Sequence, residues 1–397
     1  MTLFALVLAL AAFAAWIYLL VGRGGFWHAE QRLPPGRHPQ AVWPPVVAVV
    51  PARNEADALP ETLPALLGQT YLGRFHVVVA DDHSSDGTAD VVRSLAAAPG
   101  GREPDRLSLL AVPALPTGWS GKVWALDRGL AKALKDVPNA RYIWFTDADI
   151  VHAPDTLSAL VFKAESQDRQ LVSVMAKLKS RGFWAGLLVP AFVYFFQKLY
   201  PFPWVSDPAR PQTAGAAGGC VLVRRETLEA AGGLPAIRNA LIDDCALARA
   251  VRDAGGKLWL GLSETTVSLR PYATLGAVWD MVARTAFTEL DHSLLKLVGT
   301  VLGMLVLYLC PPVAFLALFL GDGSAAALIG LCGGLAWLTM AITYLPTLRL
   351  YRRPGVQAFT LPLCGALYTA MTVDSAIRHW RGRGGTWKGR VQAGGAP

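Results

Sequence analysis

Two aspartates, Asp147 and Asp149, have the residue type and spacing of a metal site. They follow Tyr142–Phe145, an apolar run that predicts a buried strand. On an extended chain, side chains two positions apart face the same way. Carboxylate oxygens suit Mg²⁺ or Mn²⁺, which bind through one or two carboxylates and substrate phosphates. Asp-x-Asp is also common in solvated turns, so the pair alone leaves both interpretations open.

Other polar clusters follow predicted strands in the same way. Strand and helix patterns alternate from residue 46 to residue 145, which predicts βαβ units and a mostly parallel α/β sheet with ligands at the carboxyl ends of its strands. The strand at 46–50 leads into Pro51-Ala52-Arg53-Asn54-Glu55, and the strand at 76–80 leads into Asp81-Asp82. These clusters therefore converge on one edge of the sheet.

The converging residue types suit a nucleoside diphosphate. Such a ligand needs acceptors for its base and ribose, a cation for its diphosphate, and a metal. The candidates are Asp81 or Asp82, Arg53 with Lys122, and Asp147 with Asp149. Lys122 ends the segment 118–122, whose glycines permit a close approach to phosphate, although an ordinary loop before a helix has the same composition. Asp86-Gly87-Thr88 is typical of a helix entry.

A second carboxylate pair, Asp243 and Asp244, opens a predicted amphipathic helix that runs towards Asp253. One interpretation is capping of the helix N-terminus, which suits Asp243. The other is catalysis, because adjacent carboxylates in a partly apolar pocket raise the pKa of one of them, as a general base requires. The order of the motifs favours Asp244 as the base.

Apolar blocks predict a membrane protein. Residues 2–22, 297–320 and 325–345 are long enough to span a bilayer, and 356–377 is a weaker run that we interpret as re-entrant or interfacial. We expect an anchor at 1–22, a proline-rich linker at 23–45, a catalytic domain at 46–292, two spanning helices at 293–347, and a basic C-terminal region at 348–397. The aromatic segment 183–204 is expected at the membrane interface or in a buried core helix.

The net charge of +8 is concentrated beside the apolar blocks. Basic flanks mark the cytoplasmic side, so we expect a cytoplasmic catalytic domain. Contact with anionic membrane lipids explains this charge better than nucleic acid, for which the sequence has no motif. The five cysteines have neither paired nor metal-ligand spacing and are expected to be packing residues.

These motifs, in this order, resemble family 2 glycosyltransferases with the GT-A fold, which are inverting and, in this form, membrane-anchored. The resemblance covers residues 46–284. It implies a GT-A Rossmann-like, mostly parallel sheet with flanking helices, transmembrane helices at both ends of the chain, and Mg²⁺ or Mn²⁺ as cofactor. It implies one catalytic base, Asp244, and metal ligation by Asp147 and Asp149. It also implies nucleotide-sugar binding by Pro51, Ala52, Arg53, Glu55, Asp82, Lys122, Asp147, Gly219, Asp243 and Arg284.

Within that family the layout is similar to hopanoid-biosynthesis-associated transferases, relatives of the ceramide glucosyltransferases. The segment 118–122, the aromatic stretch and the ending 378–390 carry this closer resemblance. It implies a UDP-sugar donor and a lipid hydroxyl acceptor, such as a hopanoid. One departure is Met281-Val-Ala-Arg284-Thr285, where lipid and processive members carry Gln/Arg-x-x-Arg-Trp. Only the arginine is kept; the missing tryptophan argues against a processive polymer channel and leaves the acceptor open.

The sequence leaves three alternative functions to consider. The first is transfer to a polyprenyl phosphate or another glycolipid. The second is a dinucleotide-binding dehydrogenase, which the missing Gly-x-Gly-x-x-Gly disfavours. The third is a non-catalytic lipid-binding protein that keeps the fold, which the intact aspartates disfavour.

Overall fold

A computed structural model describes residues 2–34, 36, 43–97, 106–388, 390 and 391. The chain divides into two compact units. The helical unit contains Met1–Ala29, Ser180–Pro203 and Pro271–Gly384, and the sheet unit contains Glu30–Lys179, Trp204–Arg270 and Gly385–Pro397. These limits differ from the predicted domains, since they assign 183–203 and 271–292 to the helical unit and the last residues to the sheet unit. Part of the predicted linker lies outside the described residues.

Ten strands are present in the described parts of the chain. They are β1 Val46–Ala52, β2 Phe75–Asp81, β3 Leu107–Ala111, β4 Tyr142–Phe145, β5 Ile150–His152, β6 Leu171–Lys177, β7 Val221–Arg224, β8 Leu258–Ser268, β9 Thr386–Trp387 and β10 Arg390–Val391.

Fifteen α-helices are present in the same residues. They are α1 Thr2–Val21, α2 Leu59–Leu67, α3 Thr88–Ala97, α4 Gly121–Asp136, α5 Thr156–Ser166, α6 Phe183–Leu199, α7 Phe202–Ser206, α8 Arg225–Ala230, α9 Asp243–Asp253, α10 Leu275–Ala283, α11 Leu294–Met304, α12 Cys310–Phe315, α13 Ala317–Leu320, α14 Gly323–Leu350 and α15 Leu361–Trp380.

The main sheet of the sheet unit has the order β3-β2-β1-β4-β7-β6-β8-β5. Strands β3, β2, β1 and β4 are parallel, as the alternating pattern predicts. Strand β7 then pairs antiparallel with β4 and with β6, and β5 pairs antiparallel with β8. The carboxyl ends of β1, β2 and β4 therefore lie along the same edge, where their polar loops follow.

Hydrophobic burial fixes the helices that surround this edge. Every residue of β1 and of β4 is buried. Helix α2 packs on the core through Leu59, Leu63 and Leu66, whose spacing places them on one helical face. Helix α4 approaches β1 closely at Gly129, where an added Cβ would lie 2.6 Å from Val49 Cγ1. These contacts set the positions of the helix ends that carry polar side chains.

The helical unit contains four segments that are long and apolar enough to cross a membrane: Thr2–Val21, Leu294–Leu320, Gly323–Leu350 and Gly355–Trp380. Helix α6 is a shorter apolar helix of 17 residues. Inside this unit Trp16 donates to the Leu307 carbonyl at 2.7 Å, and the Tyr194 hydroxyl lies 2.8 Å from that of Thr343. These bonds satisfy polar groups among apolar helices.

Candidate active site

The loops after β1 and β2 are bonded to each other. The Asn54 backbone donates to Ser84 Oγ and the Ser85 backbone donates to Asn54 Oδ1, both at 2.9 Å. The Ala56 backbone donates to Asp86 Oδ2 at 2.9 Å. Asp86 Oδ1 also accepts from the Thr88 backbone at the start of α3, as predicted for a helix entry. The first loop is thus held in one conformation by the second.

Arg53 and Asp82 also join the loops after β1 and β2. The Asp82 side chain is completely buried, and Arg53 lies 3.6 Å from its Oδ2 and donates to its carbonyl at 2.5 Å. The His83 ring nitrogen Nδ1 lies 3.1 Å from Asp82 Oδ1. The neighbouring Asp81 is partly exposed and accepts from the Ser84 backbone at 3.3 Å. Between the two candidate base acceptors, Asp81 is therefore the more accessible carboxylate.

Pro51 and Ala52 were expected in the first loop, but they are the last residues of β1. They are buried because the parallel ladder with β2 continues to Asp81. Pro51 nevertheless lines a cavity at the strand end, together with Lys122, Asp147, Asp243 and others.

Lys122 brings two of the predicted motifs together. Its Nζ lies 3.0 Å from Asp147 Oδ1 and 3.1 Å from Asp243 Oδ2. It is not in a loop, as the sequence suggested, but in the first turn of α4, where Ser120 caps the helix. Burial acts to lower the pKa of Lys122, but Asp147, Asp243 and Asp244 raise it well above its usual range. The lysine is therefore a fixed cation among three carboxylates.

Asp244 has the environment of a general base. Its Oδ2 accepts from the Gly218 backbone at 2.6 Å and its Oδ1 from the Cys245 backbone at 2.8 Å. Burial, and then the charge of Asp243, raise the pKa of Asp244 to about 6, whereas Lys122 and these two backbone hydrogen bonds act to lower it. A carboxylate with that pKa is largely ionised at neutral pH and still accepts a proton readily.

The two glycines before β7 permit this packing. A Cβ on Gly218 would lie 3.2 Å from Asp244 Oδ2 and 3.3 Å from Lys122 Nζ. A Cβ on Gly219 would lie 3.1 Å from Ile150 Cδ1. Gly218 thus adjoins the carboxylate cluster, whereas Gly219 contacts the start of β5.

Asp149 has different partners from Asp147. The extended geometry expected for the pair is wrong, because β4 ends at Phe145 and Asp149 lies in a turn before β5. Thr62 of α2 fixes this turn by donating to the Ala148 carbonyl at 2.7 Å. Ser268 donates to Asp149 Oδ2 at 2.8 Å, and Arg270 Nε lies 3.8 Å from the same oxygen.

The carboxylates fit a divalent cation by chemistry. Asp147 and Asp149 offer hard oxygen ligands at one strand end, which is the donor type that Mg²⁺ and Mn²⁺ prefer. Among the described residues no group of three or more His, Cys, Asp or Glu side chains could hold a metal ion by itself. A cation bound here would therefore need further ligands from water or from substrate phosphates.

Sequence reasoning missed Ser268 and Arg270 at the end of β8. The signal was available, since a polar pair at a strand end is the pattern that identified the other loops. Sequence reasoning also did not place Lys388 in the site, although its Nζ lies 2.9 Å from Glu55 Oε1. Arg284 follows α10 and belongs to the helical unit, so its contact with a donor stays a prediction.

Residues 47–232 match the protein family described as Glycosyl transferase family 2. A curated relative, "Probable glycosyltransferase YdaM" of Bacillus subtilis (strain 168), is 26% identical over 262 residues. That match covers 64% of this chain and 58% of the relative, so the chain spans less than two thirds of the relative's length.

A solved structure supports the fold over almost the whole chain. The mannosyltransferase PcManGT from Pyrobaculum calidifontis, in complex with GDP-Man and Mn²⁺, is 20% identical and has a TM-score of 0.54. The similarity covers 95% of this chain and 99% of that one. It confirms the predicted GT-A-like α/β sheet with flanking helices and apolar terminal helices.

Proposed function

We propose that this chain is a membrane-bound, inverting glycosyltransferase of family 2. It moves a sugar from a nucleoside-diphosphate sugar, expected to be a UDP-sugar, to the hydroxyl of a lipid such as a hopanoid. The observation that carries the proposal is the environment of Asp244, partly buried near Lys122 and Asp243 and held by two backbone N–H groups. The site is expected on the cytoplasmic side of a bacterial inner membrane.

The residues around this site suit a single displacement. Asp244 accepts the proton of the acceptor hydroxyl while the hydroxyl oxygen attacks the anomeric carbon. The nucleoside diphosphate leaves from the opposite side of that carbon. An α-linked donor then gives a β-linked product. Lys122 keeps positive charge beside Asp147, where the departing diphosphate needs it. A divalent cation held by Asp147 and Asp149 would act as a Lewis acid on that leaving group.

The donor-binding residues divide into two groups. Asp81 or Asp82 with Arg53 would recognise the base and ribose from the joined loops. Glu55, Lys122 and Asp243 would surround the diphosphate and sugar, with Gly219 at the sugar. The roles of Pro51 and Ala52 would be steric, since both lie within β1.

A substrate panel tests the proposal. Detergent-purified protein would be incubated with UDP-, GDP- and dTDP-sugars, with Mn²⁺ or with EDTA, and with hopanoid, ceramide or polyprenyl-phosphate acceptors. GDP-sugars belong in the panel because PcManGT was solved with GDP-Man. We expect nucleoside diphosphate release that needs both the metal and one lipid. If nucleoside diphosphate were released only with polyprenyl phosphate, the acceptor would be a phosphate and not a lipid hydroxyl. If no donor and acceptor pair gave release, the proposal that the protein is an enzyme would be overturned.

A further inference from the structure

The last described residues of the chain cross the candidate donor site. Gly385 lies against Leu241, two residues before α9, since an added Cβ would be 3.3 Å from Leu241 Cδ2. Three residues later, Lys388 reaches the first loop, where its Nζ lies 2.9 Å from Glu55 Oε1 and 3.3 Å from the Asn54 carbonyl. Residues 385–388, called the strap below, therefore connect the helix of Asp244 with the loop after β1.

A tight hairpin presents Lys388 at this position. Strands β9 and β10 pair antiparallel, with Trp387 opposite Arg390, and Lys388 directly follows β9. Its φ of +48° is the left-handed conformation that the favoured two-residue hairpin turns require. The carbonyl of Lys388 also accepts from Arg53 Nε at 3.3 Å. The backbone of Lys388 is thus held by Arg53, whereas its ammonium group lies at the end of a flexible side chain.

The charges around Lys388 match those of a diphosphate site. Burial raises the pKa of the Glu55 carboxyl, Lys388 lowers it, and the charges of Asp149 and Arg270 also act on it. The Glu55 carboxylate therefore interacts electrostatically with the candidate metal ligand Asp149. The Lys388 side chain is 29% exposed and can leave Glu55 for a stronger anion. A diphosphate carries more negative charge than one carboxylate, and a lysine ammonium binds phosphate as a point charge.

We propose that Lys388 is a donor-binding residue and that the strap closes over the diphosphate of a bound nucleotide sugar. The ammonium group moves from Glu55 to the diphosphate, which holds residues 385–388 against the occupied site. This inference rests on the proposed function, because it assumes that the site takes a nucleoside diphosphate. It adds to the site a cation that lies more than 100 residues beyond the family 2 match, which ends at residue 232.

The test compares Lys388→Gln with Lys257→Gln in the full-length protein. Lys257 is a matched control because it also forms a 2.9 Å ion pair, with Asp168, on the exposed surface. Calorimetry would measure binding of UDP, GDP, UMP and uridine, with Mn²⁺ or with EDTA. Hydrogen bonds between charged groups are stronger than those between neutral groups, so we expect Lys388→Gln to weaken diphosphate binding about tenfold or more, which is about 1.4 kcal/mol or more. Uridine binding and the thermal midpoint should match those of Lys257→Gln.

A second measurement follows the strap itself. Trypsin cleavage after Arg383, Lys388 and Arg390 would be quantified by mass spectrometry of the wild type, with and without UDP or GDP. We expect the diphosphate to protect these positions and uridine to leave them unchanged. Unchanged cleavage with bound diphosphate would overturn the closure.

The remaining outcomes separate this inference from the proposed function. Diphosphate binding that Lys388→Gln leaves unchanged would overturn the inference alone, because the ion pair with Glu55 would then be only an anchor. Tighter diphosphate binding by Lys388→Gln would also overturn it, since the strap would then be inhibitory. If the wild type binds neither UDP nor GDP, both the proposed function and the inference fail.

Discussion

At the scale of single residues, Asp244 is the group on which the proposed chemistry depends. Asp244→Asn keeps an oxygen that accepts from the Gly218 backbone, but an amide does not take up the acceptor's proton. We expect turnover to fall about 10²–10⁴-fold, with nucleoside diphosphate binding retained. Steady-state transfer assays and calorimetry would measure the two effects.

The matched control is Asp253→Asn, at the exposed far end of the same helix. It should leave turnover at the wild-type value. If Asp244→Asn kept most of its activity under saturating substrates, Asp244 would not be the base.

The pH dependence of turnover follows from the same residue. A base works in its deprotonated form, and burial raises the pKa of Asp244 to about 6. We therefore expect kcat to fall as the pH decreases through about 6 and to reach a plateau at higher pH. A profile that stays flat across this range, with stable protein, would contradict the assignment.

Lys122 should tune that profile. Burial and the charge of Asp243 raise the pKa of Asp244, whereas Lys122 lowers it. In Lys122→Gln the carboxylates lose their shared cation, so the midpoint of the kcat profile should move to higher pH. The same profile measured on Lys257→Gln should not move. An unchanged or lower midpoint in Lys122→Gln would show that its ammonium does not act on the base.

At the scale of structural elements, the site depends on the close approach of the loop before β7 to the start of α9. In Gly218→Ala the new Cβ would lie 3.2 Å from Asp244 Oδ2, which is tighter than most real Cβ contacts. The overpacked contact should lower the free energy of unfolding by about 1–3 kcal/mol. A displaced base slows proton transfer, so we expect kcat to fall about tenfold or more while the protein stays folded.

The control for this contact is Gly299→Ala in α11, where an added Cβ meets no heavy atom within 4 Å. Transfer assays and thermal melts on both variants would separate a local effect from unfolding. Wild-type kcat in Gly218→Ala would contradict the tight contact.

At the scale of the whole molecule, chain connectivity limits the membrane topology. The chain leaves the sheet unit at Arg270 and returns to it at Gly385, and Lys388 contacts Glu55 of that unit. In a membrane, residues on both sides of the intervening stretch would therefore lie on the same side. The stretch holds three candidate spans, and only an even number of crossings returns the chain to its starting side. One of the three would therefore not cross completely, and the last apolar run stays the predicted one.

Cysteine labelling would test the topology. In a background without the five native cysteines, an impermeant thiol reagent would be applied to Asp90→Cys, Asp322→Cys and Arg383→Cys in sealed vesicles. Asp90 is exposed in the sheet unit, Asp322 lies between the two middle spans, and Arg383 follows α15. We expect Asp90→Cys and Arg383→Cys to share accessibility and Asp322→Cys to differ. Opposite accessibility of Asp90→Cys and Arg383→Cys would contradict the argument.

The sequence by itself determined the class of this fold and the edge at which its polar loops meet. The continuous apolar runs ending at Ala80 and Phe145 predict buried strands, and their alternation with helices predicts a parallel sheet, because such patterns depend only on local burial and neighbouring residues. The apolar helices followed for the same reason, since length and composition alone decide whether a helix can span a bilayer.

Only the tertiary structure decided which side chains meet. Lys122 contacts Asp243 and Glu55 contacts Lys388 across long stretches of sequence, and no local pattern encodes such pairs. The turn that separates Asp149 from Asp147 depends on a bond from Thr62, and the raised pKa of Asp244 depends on burial by elements distant in sequence. Packing between elements sets these distances and charges, so they are properties of the folded chain.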